Sequence, residues 1–361
     1  MAADRRIPVS VITGFLGSGK TTLLNRLLQD PAMAGAAVII NEFGEIGLDH
    51  LLIATPNENT VLLSSGCICC TVRGDLVNTL RDLDKQRREG ELPPFDRVLI
   101  ETTGLADPVP IVQTVVVDEK LAPQYRLDSV ITLVDAVNGA GQLDTQPESR
   151  KQAAIADRLL VSKADLADAT AVARLTERLA VINPGAEILE SVHGRIAPDV
   201  LFGAAIATAS RAAEVRRWLQ EDRYVRVEAR QGLSAHDDGI RSYSLVLDQQ
   251  VTRAGLTAWL TALASLRGAE LLRVKGLLNV EGEPVAVHAV QTLIHEPVYL
   301  QHWPDADRRS RLVFITRNMT REAVEATLGV LGWQSQPVEG GVPKPDPQKY
   351  ARFLAAMTKM H

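Results

Sequence analysis

Apolar and polar positions along the chain follow two different patterns. Up to about residue 204, short and mainly apolar runs alternate with longer stretches of helical period. The runs at residues 9–13, 37–40, 60–63, 97–100, 128–135, 158–161 and 186–189 read as strands covered on both faces, because a strand with one wet face would alternate. Between them, residues 19–29, 72–89, 149–156 and 166–182 have helical spacing, with Leu76, Leu80 and Leu83 on one face of the second segment. Another helix is opened by Asp107 and Pro108, proline being suited to a first turn. Residues 138–148 are glycine-rich and read as a loop. Strand and helix taking turns in this way predict an α/β fold, a mostly parallel sheet with helices on both faces.

Beyond that point the pattern changes. Residues 206–240 are rich in small residues and then charged, and read as a connector with one short helix over 215–220. Strands are expected at 242–247, 270–280, 284–293, 297–299 and 311–316. A helix over 252–266 turns Leu256, Trp259, Leu260 and Leu263 inward, and a last helix over 320–331 is capped by Asn318 or Thr320. Residues 1–205 thus form one domain and 241–335 a small α+β domain. Residues 336–361, rich in proline and glycine, are expected to form a mobile tail. His288, His295 and His302 recur at sevens in a strand-like region and read as scattered surface or core residues.

Composition narrows the function classes. A chain of 361 residues is long enough for two domains with real cores. A net charge of -5 disfavours non-specific nucleic-acid binding, which needs a basic excess or face. No apolar run approaches the length of a membrane span. The start is polar and the apolar strand after it is short, so no secretory leader is expected. The three cysteines fall within residues 67–70, which excludes a disulfide framework and points to reduced thiols in the cytoplasm.

The first strand delivers Gly14-Phe15-Leu16-Gly17-Ser18-Gly19-Lys20-Thr21-Thr22. Gly14, Gly19, Lys20 and Thr21 satisfy the P-loop spacing G-x-x-x-x-G-K-[ST]. Glycines let the backbone curl so that N–H groups from Gly14, Gly17, Ser18 and Gly19 onward to Thr22 converge on phosphate. The helix start adds its positive end. Lys20 supplies charge for the β- and γ-phosphates, and the Thr21 hydroxyl suits Mg²⁺. The strand at 97–100 ends in Glu101, with Gly104 three residues on. This is the form of the second nucleotide motif: the carboxylate holds a water of the Mg²⁺ shell and the Gly104 N–H senses the γ-phosphate. Ser162-Lys163-Ala164-Asp165, after another strand, is similar to the guanine motif N-K-x-D. Asp165 accepts two hydrogen bonds from guanine, for which adenine has no counterpart, and Lys163 lays its stem along the base. GTP and GDP are therefore expected over ATP. Ser162 stands where asparagine is usual, at the expense of one side-chain bond to the base or the P-loop. Residues 191–194 form a turn whose backbone reaches the base, with His193 a turn residue.

Cys67, Cys69 and Cys70 follow the strand at 60–63. Clustered thiolates repel unless a cation or proton holds them, and soft sulfur favours Zn²⁺, Cu(I) or an Fe–S cluster over Mg²⁺. Three thiolates leave one coordination position for another ligand or solvent, which fits a site that releases its metal. Small buried cysteines and a redox pair of Cys67 and Cys70 are the rival readings. Residues 41–49 are acidic and glycine-punctuated. In a P-loop protein this is the place of the first switch, with Glu42 and Glu45 near the metal, the alternative being a solvated acidic turn.

These motifs, with Asn41-Glu42-Phe43-Gly44 and Glu101-Thr102-Thr103-Gly104-Leu105-Ala106-Asp107-Pro108, occur in the order seen in the CobW-type GTPases, and the chain resembles that family over nearly its whole length. The resemblance implies a slow GTPase related to the urease and hydrogenase nickel chaperones. It further implies a metallochaperone that holds zinc or cobalt at its cysteine motif and delivers it to a client metalloprotein. No partner is expected among nucleic acids or membranes, and a homodimer is left open. The rival readings are a GTP-dependent regulatory module with a structural metal or buried cysteine cluster, and an ATP-using kinase, which Asp165 disfavours.

Overall fold

The computed structural model describes residues 4–41, 61–65, 72–204, 212–231 and 239–333. The chain divides into two compact units, Met1–Ala180 with Ala186–Thr208, and Val181–Gly185 with Ala209–His361.

The first unit alternates β1 (Ile7–Gly14), α1 (Lys20–Leu28), β2 (Ala36–Asn41), β3 (Val61–Ser65), α2 (Val72–Glu89), β4 (Arg97–Glu101), α3 (Val109–Val117) and β5 (Tyr125–Asp135). It continues through α4 (Gly139–Thr145), α5 (Pro147–Ile155), β6 (Arg158–Ser162), α6 (Ala169–Ile182) and β7 (Glu187–Ser191), and closes on a short α7 (Pro198–Leu201). Among the described residues the strands make one seven-stranded sheet in the order β3-β2-β4-β1-β5-β6-β7, every pair parallel. Val9, Val11 and Ile12 of β1 have no exposed surface, as expected for a strand with helices on both faces. On one face α1 buries Leu23, Leu24, Leu27 and Leu28 against Ile12, Val38, Leu99 and Ile131. Chain excursions leave β1 toward β2 and β3 on one side, and run from β5 to β6 and β7 on the other. Open parallel sheets bind ligands at such a reversal, beyond the carboxyl ends of the strands.

The loop expected over 138–148 is instead helical, supplying α4 and the start of α5. Its glycines mark close packing rather than irregularity: a Cβ on Gly139 would lie 2.6 Å from Val134 Cγ1. Leu143 is fully buried and anchors the turn.

In the second unit, α8 (Ala212–Leu219) and α9 (Glu221–Gln231) occupy the expected connector, which is therefore far more helical than its composition suggested. Both bury apolar side chains, Val215, Trp218 and Leu219 from the first and Tyr224 and Val227 from the second. Then come β8 (Ile240–Leu247), α10 (Arg253–Arg267), β9 (Leu271–Val280), β10 (Glu283–Val290), β11 (Leu293–Ile294), β12 (Val298–Tyr299), β13 (Ser310–Arg317) and α11 (Arg321–Glu325). The strands form an antiparallel sheet in the order β11-β10-β9-β13-β8, with β12 on β10. The expected strand 284–293 breaks at Gln291, whose φ of 53° turns the chain into a hairpin. The expected helix 320–331 is α11 followed by a tighter 3₁₀ stretch, Leu328–Gly332. Thr320 caps α11 by accepting the Ala323 N–H at 3.2 Å. Trp259 of α10 is fully buried, edge-on to Phe314 at 6.2 Å, and donates to the Thr327 hydroxyl.

Val274, Leu278 and Val280 of β9 belong to the core that contains Trp259, so alternation places Arg273 and Lys275 on the opposite face. Both are buried. Lys275 donates to the Trp218 carbonyl at 2.9 Å and sits 5.2 Å from that indole ring. His288 and His295 are not scattered: the β10–β11 hairpin stacks their rings 4.4 Å apart and nearly parallel.

Candidate nucleotide site at the strand ends

The site is assembled from turns at the carboxyl ends of β1, β4, β5, β6 and β7. At the end of β1 the backbone curls through Gly14, Gly17 and Gly19, whose φ values of 143°, 72° and 92° disfavour other residues. α1 starts at once with Lys20, so the N–H groups of its first turn face the curl. Lys20 Nζ lies across the loop and donates to the carbonyls of Gly14 (3.0 Å) and Phe15 (3.3 Å). The next residue, Thr21, donates its hydroxyl to Glu101 Oε1 at 2.9 Å. Glu101 is buried at the end of β4, between Ile12 and Ile40 in register. Its neighbour Thr102 binds the Thr13 hydroxyl (2.8 Å) and the Ile12 carbonyl (3.0 Å), tying β4 to the strand that carries the loop. A hydroxyl and a carboxylate facing each other are hard oxygen donors, the chemistry that suits Mg²⁺.

The other end of the crevice is built on β5, β6 and β7. Ser162 closes β6 and donates its hydroxyl to the carbonyl of Ser18 at 2.6 Å. The serine therefore keeps a side-chain link from this motif to the P-loop, one of the two bonds that the missing asparagine put at stake. Lys163 takes a left-handed conformation, φ 57°, and its Nζ pairs with Asp135 Oδ2 at 2.7 Å. Asp135 ends β5 and is almost fully buried; its carboxylate also accepts the N–H groups of Val137 and Asn138. Burial alone would raise its pKa, but the Lys163 ammonium and these backbone and side-chain donors outweigh it and hold the carboxyl below its usual range. Asp165 lies on a 3₁₀ turn, Ala164–Leu166, with its Oδ2 3.6 Å from Nε2 of His193. His193 and Gly194 both have positive φ in the turn that follows β7.

Of the residues singled out in the sequence, Lys20, Thr21 and Glu101 meet at one end, and Gly104 rests against the loop that carries them. Ser162, Lys163 and Asp165 line the other end, and Ser18 joins the two. Glu42, Glu45, Cys67, Cys69 and Cys70 lie outside the described residues. Sequence reasoning passed over Asp135, although it ends an apolar strand just as Glu101 does. Gln152 of α5, buried beside Gly104, was also passed over, and nothing in its local sequence marks it. Among the described residues no helix is long and apolar enough to cross a membrane.

A parallel sheet whose glycine-rich loop leads from β1 into a helix opened by Lys-Thr, with a carboxylate at the neighbouring strand end, defines a P-loop nucleotide hydrolase. Residues 8–190 match the family described as "CobW/HypB/UreG, nucleotide-binding domain" and residues 240–331 match "Cobalamin synthesis protein cobW C-terminal domain". The zinc chaperone YjiA of Escherichia coli is 35% identical over 328 residues, covering 90% of this chain and 98% of that protein. The zinc chaperone CobW of Pseudomonas aeruginosa is 31% identical, covering 88% of this chain and 90% of its own. The crystal structure of Zn(II)-bound YjiA GTPase from E. coli superposes with a TM-score of 0.68 at 30% identity, covering 90% of this chain and 99% of that one. The chain belongs to the CobW/HypB/UreG family and is a P-loop GTPase.

Proposed function

We propose that this chain is a GTP-hydrolysing metallochaperone of the cytoplasm. In this reading it binds zinc, or cobalt, at Cys67, Cys69 and Cys70 and hands it to a client metalloprotein under control of the bound nucleotide. Residues 1–205 act as the GTPase domain and 241–335 as the family's C-terminal domain. The cradle from Gly14 to Thr22 holds the phosphates, and Lys20 offsets their charge. Thr21, with Glu101 behind it, would hold Mg²⁺, which supplies charge neutralisation between the β- and γ-phosphates. Gly104 reports the γ-phosphate, and Asp165 with Lys163 and Ser162 selects guanine.

The observation that carries the reading is the register of the strand ends. Ser65 of β3 pairs with Asn41 of β2, and Ile40 of β2 pairs with Glu101 of β4. Cys67 follows Ser65 by two residues, and Glu42 follows Asn41 directly. Two strand spacings separate β3 from β4, roughly 10 Å. The end of β3, which leads toward the cysteine motif, and the end of β4, which carries Glu101, are thus separated by the short path that linkage would need. Delivery requires that metal affinity differ between nucleotide states, since a ligand shifts only an equilibrium to which it is differentially bound.

The test is an equilibrium competition titration of Zn²⁺ and Co²⁺ against a calibrated chelator, with a non-hydrolysable GTP analogue and with GDP. Tighter metal binding in the GTP-analogue state, abolished by changing Cys67, Cys69 and Cys70 to Ala with the fold intact, is the expected result. Equal affinity in both states would refute delivery by hydrolysis. Unfolding of the triple alanine variant would instead assign the cysteines a structural role.

A further inference from the structure

Two neighbouring side chains of α5 grip the segment that follows Glu101. Gln152, 1% exposed, donates from Nε2 to the carbonyls of Gly104 (3.2 Å) and Ala106 (2.9 Å). Beside it, Lys151 Nζ pairs with Asp107 Oδ2, while Oδ1 of the same aspartate accepts the Val109 N–H at the start of α3. The main chain of Gln152 is itself anchored, because its carbonyl accepts the Thr132 hydroxyl from within β5 at 2.9 Å. On the other side the segment meets the P-loop: a Cβ on Gly104 would lie 2.6 Å from Leu16 N and 2.7 Å from Leu16 Cα. Residues 104–106 are thus held between the phosphate loop and one buried amide.

That amide is not what packing alone would select. Its Oε1 is buried and accepts no hydrogen bond among the described residues. A half-satisfied buried amide is destabilising relative to an apolar side chain of the same shape. Its two donated bonds do, however, have a directional effect. A peptide unit is planar and trans, so its C=O and the following N–H point in opposite directions. Fixing the Gly104 and Ala106 carbonyls on Gln152 turns the N–H groups of Leu105 and Asp107 away from α5. The orientation of these two peptide units just beyond Glu101 therefore depends on this side chain.

We propose that Gln152 is a positioning residue for GTP hydrolysis, acting through the backbone of residues 104–106 and not on the nucleotide itself. Its loss loosens the segment that answers to the γ-phosphate, while the P-loop and the guanine motif continue to bind nucleotide.

The full-length chain carrying Gln152→Met or Gln152→Glu tests this by steady-state GTP hydrolysis, GDP affinity and thermal midpoint. Methionine fills the volume but donates nothing. Its expected effect is a fall in kcat of about tenfold, the scale of two modest hydrogen bonds, with KM and GDP affinity changed less than about twofold. Glutamate has the same shape but only accepts when ionised, and regains an O–H donor when protonated. The rate of Gln152→Glu relative to wild type should therefore be lowest at pH 8 and recover several-fold by pH 6. With the thermal midpoint of Gln152→Glu above the assay temperature at every pH, a purely structural residue would not produce that profile. Wild-type kcat in both variants, a flat pH ratio for Gln152→Glu, or a parallel fall in kcat and GDP affinity would each overturn the proposal. Should Gln152→Met not fold, the pH ratio of Gln152→Glu decides alone.

Discussion

The two sheets handle charged side chains in opposite ways. In the parallel sheet the strand interiors are mainly apolar, with Asp128 of β5 a buried exception, and the charges around the candidate site stand at or just beyond carboxyl ends: Lys20, Glu101, Asp135, Lys163 and Asp165. In the antiparallel sheet Arg273, Lys275 and Arg311 lie within strands and are buried on the face opposite the Trp259 core. Lys275 and Arg311 have partners in the same unit. Arg311, for example, makes bonds of 2.9 and 3.1 Å to the two carboxylate oxygens of Asp305. Charges at strand ends are poised for a ligand and, under the proposed function, carry binding and rate; charges inside strands are answered internally and carry stability. The same residue types thus have different consequences according to where along a strand they fall.

The sharpest way to break this comparison is at Asp165. Changing it to Asn leaves one acceptor and adds one donor where guanine offers two donors. GTP affinity is expected to fall about 100-fold, the equivalent of one charge-assisted hydrogen bond of about 3 kcal/mol. The same variant presents the pattern that matches the N1–H and carbonyl of xanthine, so binding of a xanthine nucleotide should improve, with the thermal midpoint unchanged. A competition assay with both nucleotides checks both directions. A lowered midpoint with unchanged base preference would place Asp165 among the structural charges instead.

A smaller effect of the opposite kind is expected at Asp305. Replacing it with Ala leaves the buried Arg311 guanidinium without its bidentate partner. Denaturant unfolding should show a loss of about 2 kcal/mol, below the full value for a buried pair because Asp305 keeps some solvent contact. GTP hydrolysis at a temperature where the variant is folded should be untouched.

The smallest effect is one of pH. Burial, then the neighbouring His295 ring, Arg273 and Lys275 push the pKa of His288 well below its ordinary value. The unfolded chain takes up a proton at this histidine below about pH 6.5 while the folded chain does not. Stability from this group is therefore complete above pH 6.5 and falls as the pH drops below it, by about 1 kcal/mol at pH 5.5 relative to pH 7.5. Changing His288 to Phe should flatten that dependence in urea unfolding and leave nucleotide affinity alone.

Much of this arrangement was legible in the residues. Mainly apolar runs located all seven strands of the parallel sheet, because strands covered on both faces lack a regular alternation of polar positions. Motifs that act through the backbone at a strand end, such as residues 14–22 and 101–104, were also visible, since glycine and a single charge suffice to mark them. Segments whose conformation depends on burial were not. Residues 138–148 carry glycines that look like a loop, yet Gly139 and Leu143 pack a helix onto the sheet. Residues 212–231 look like a polar connector, yet Trp218 and Tyr224 make them two helices.

The sequence by itself determined that a glycine-rich loop opens a helix after the first strand, that a carboxylate ends a neighbouring strand, and that a Ser-Lys-x-Asp turn follows further on. These depend on local spacing, and local spacing is written in the chain. Tertiary structure alone decided that Ser162 reaches Ser18, that Asp135 holds Lys163, and that Gln152 grips residues 104–106. Each of those contacts joins a side chain to a residue from 28 to 144 positions away. Only the stacking of parallel strands, which brings distant carboxyl ends to one edge, puts them within a hydrogen bond of each other.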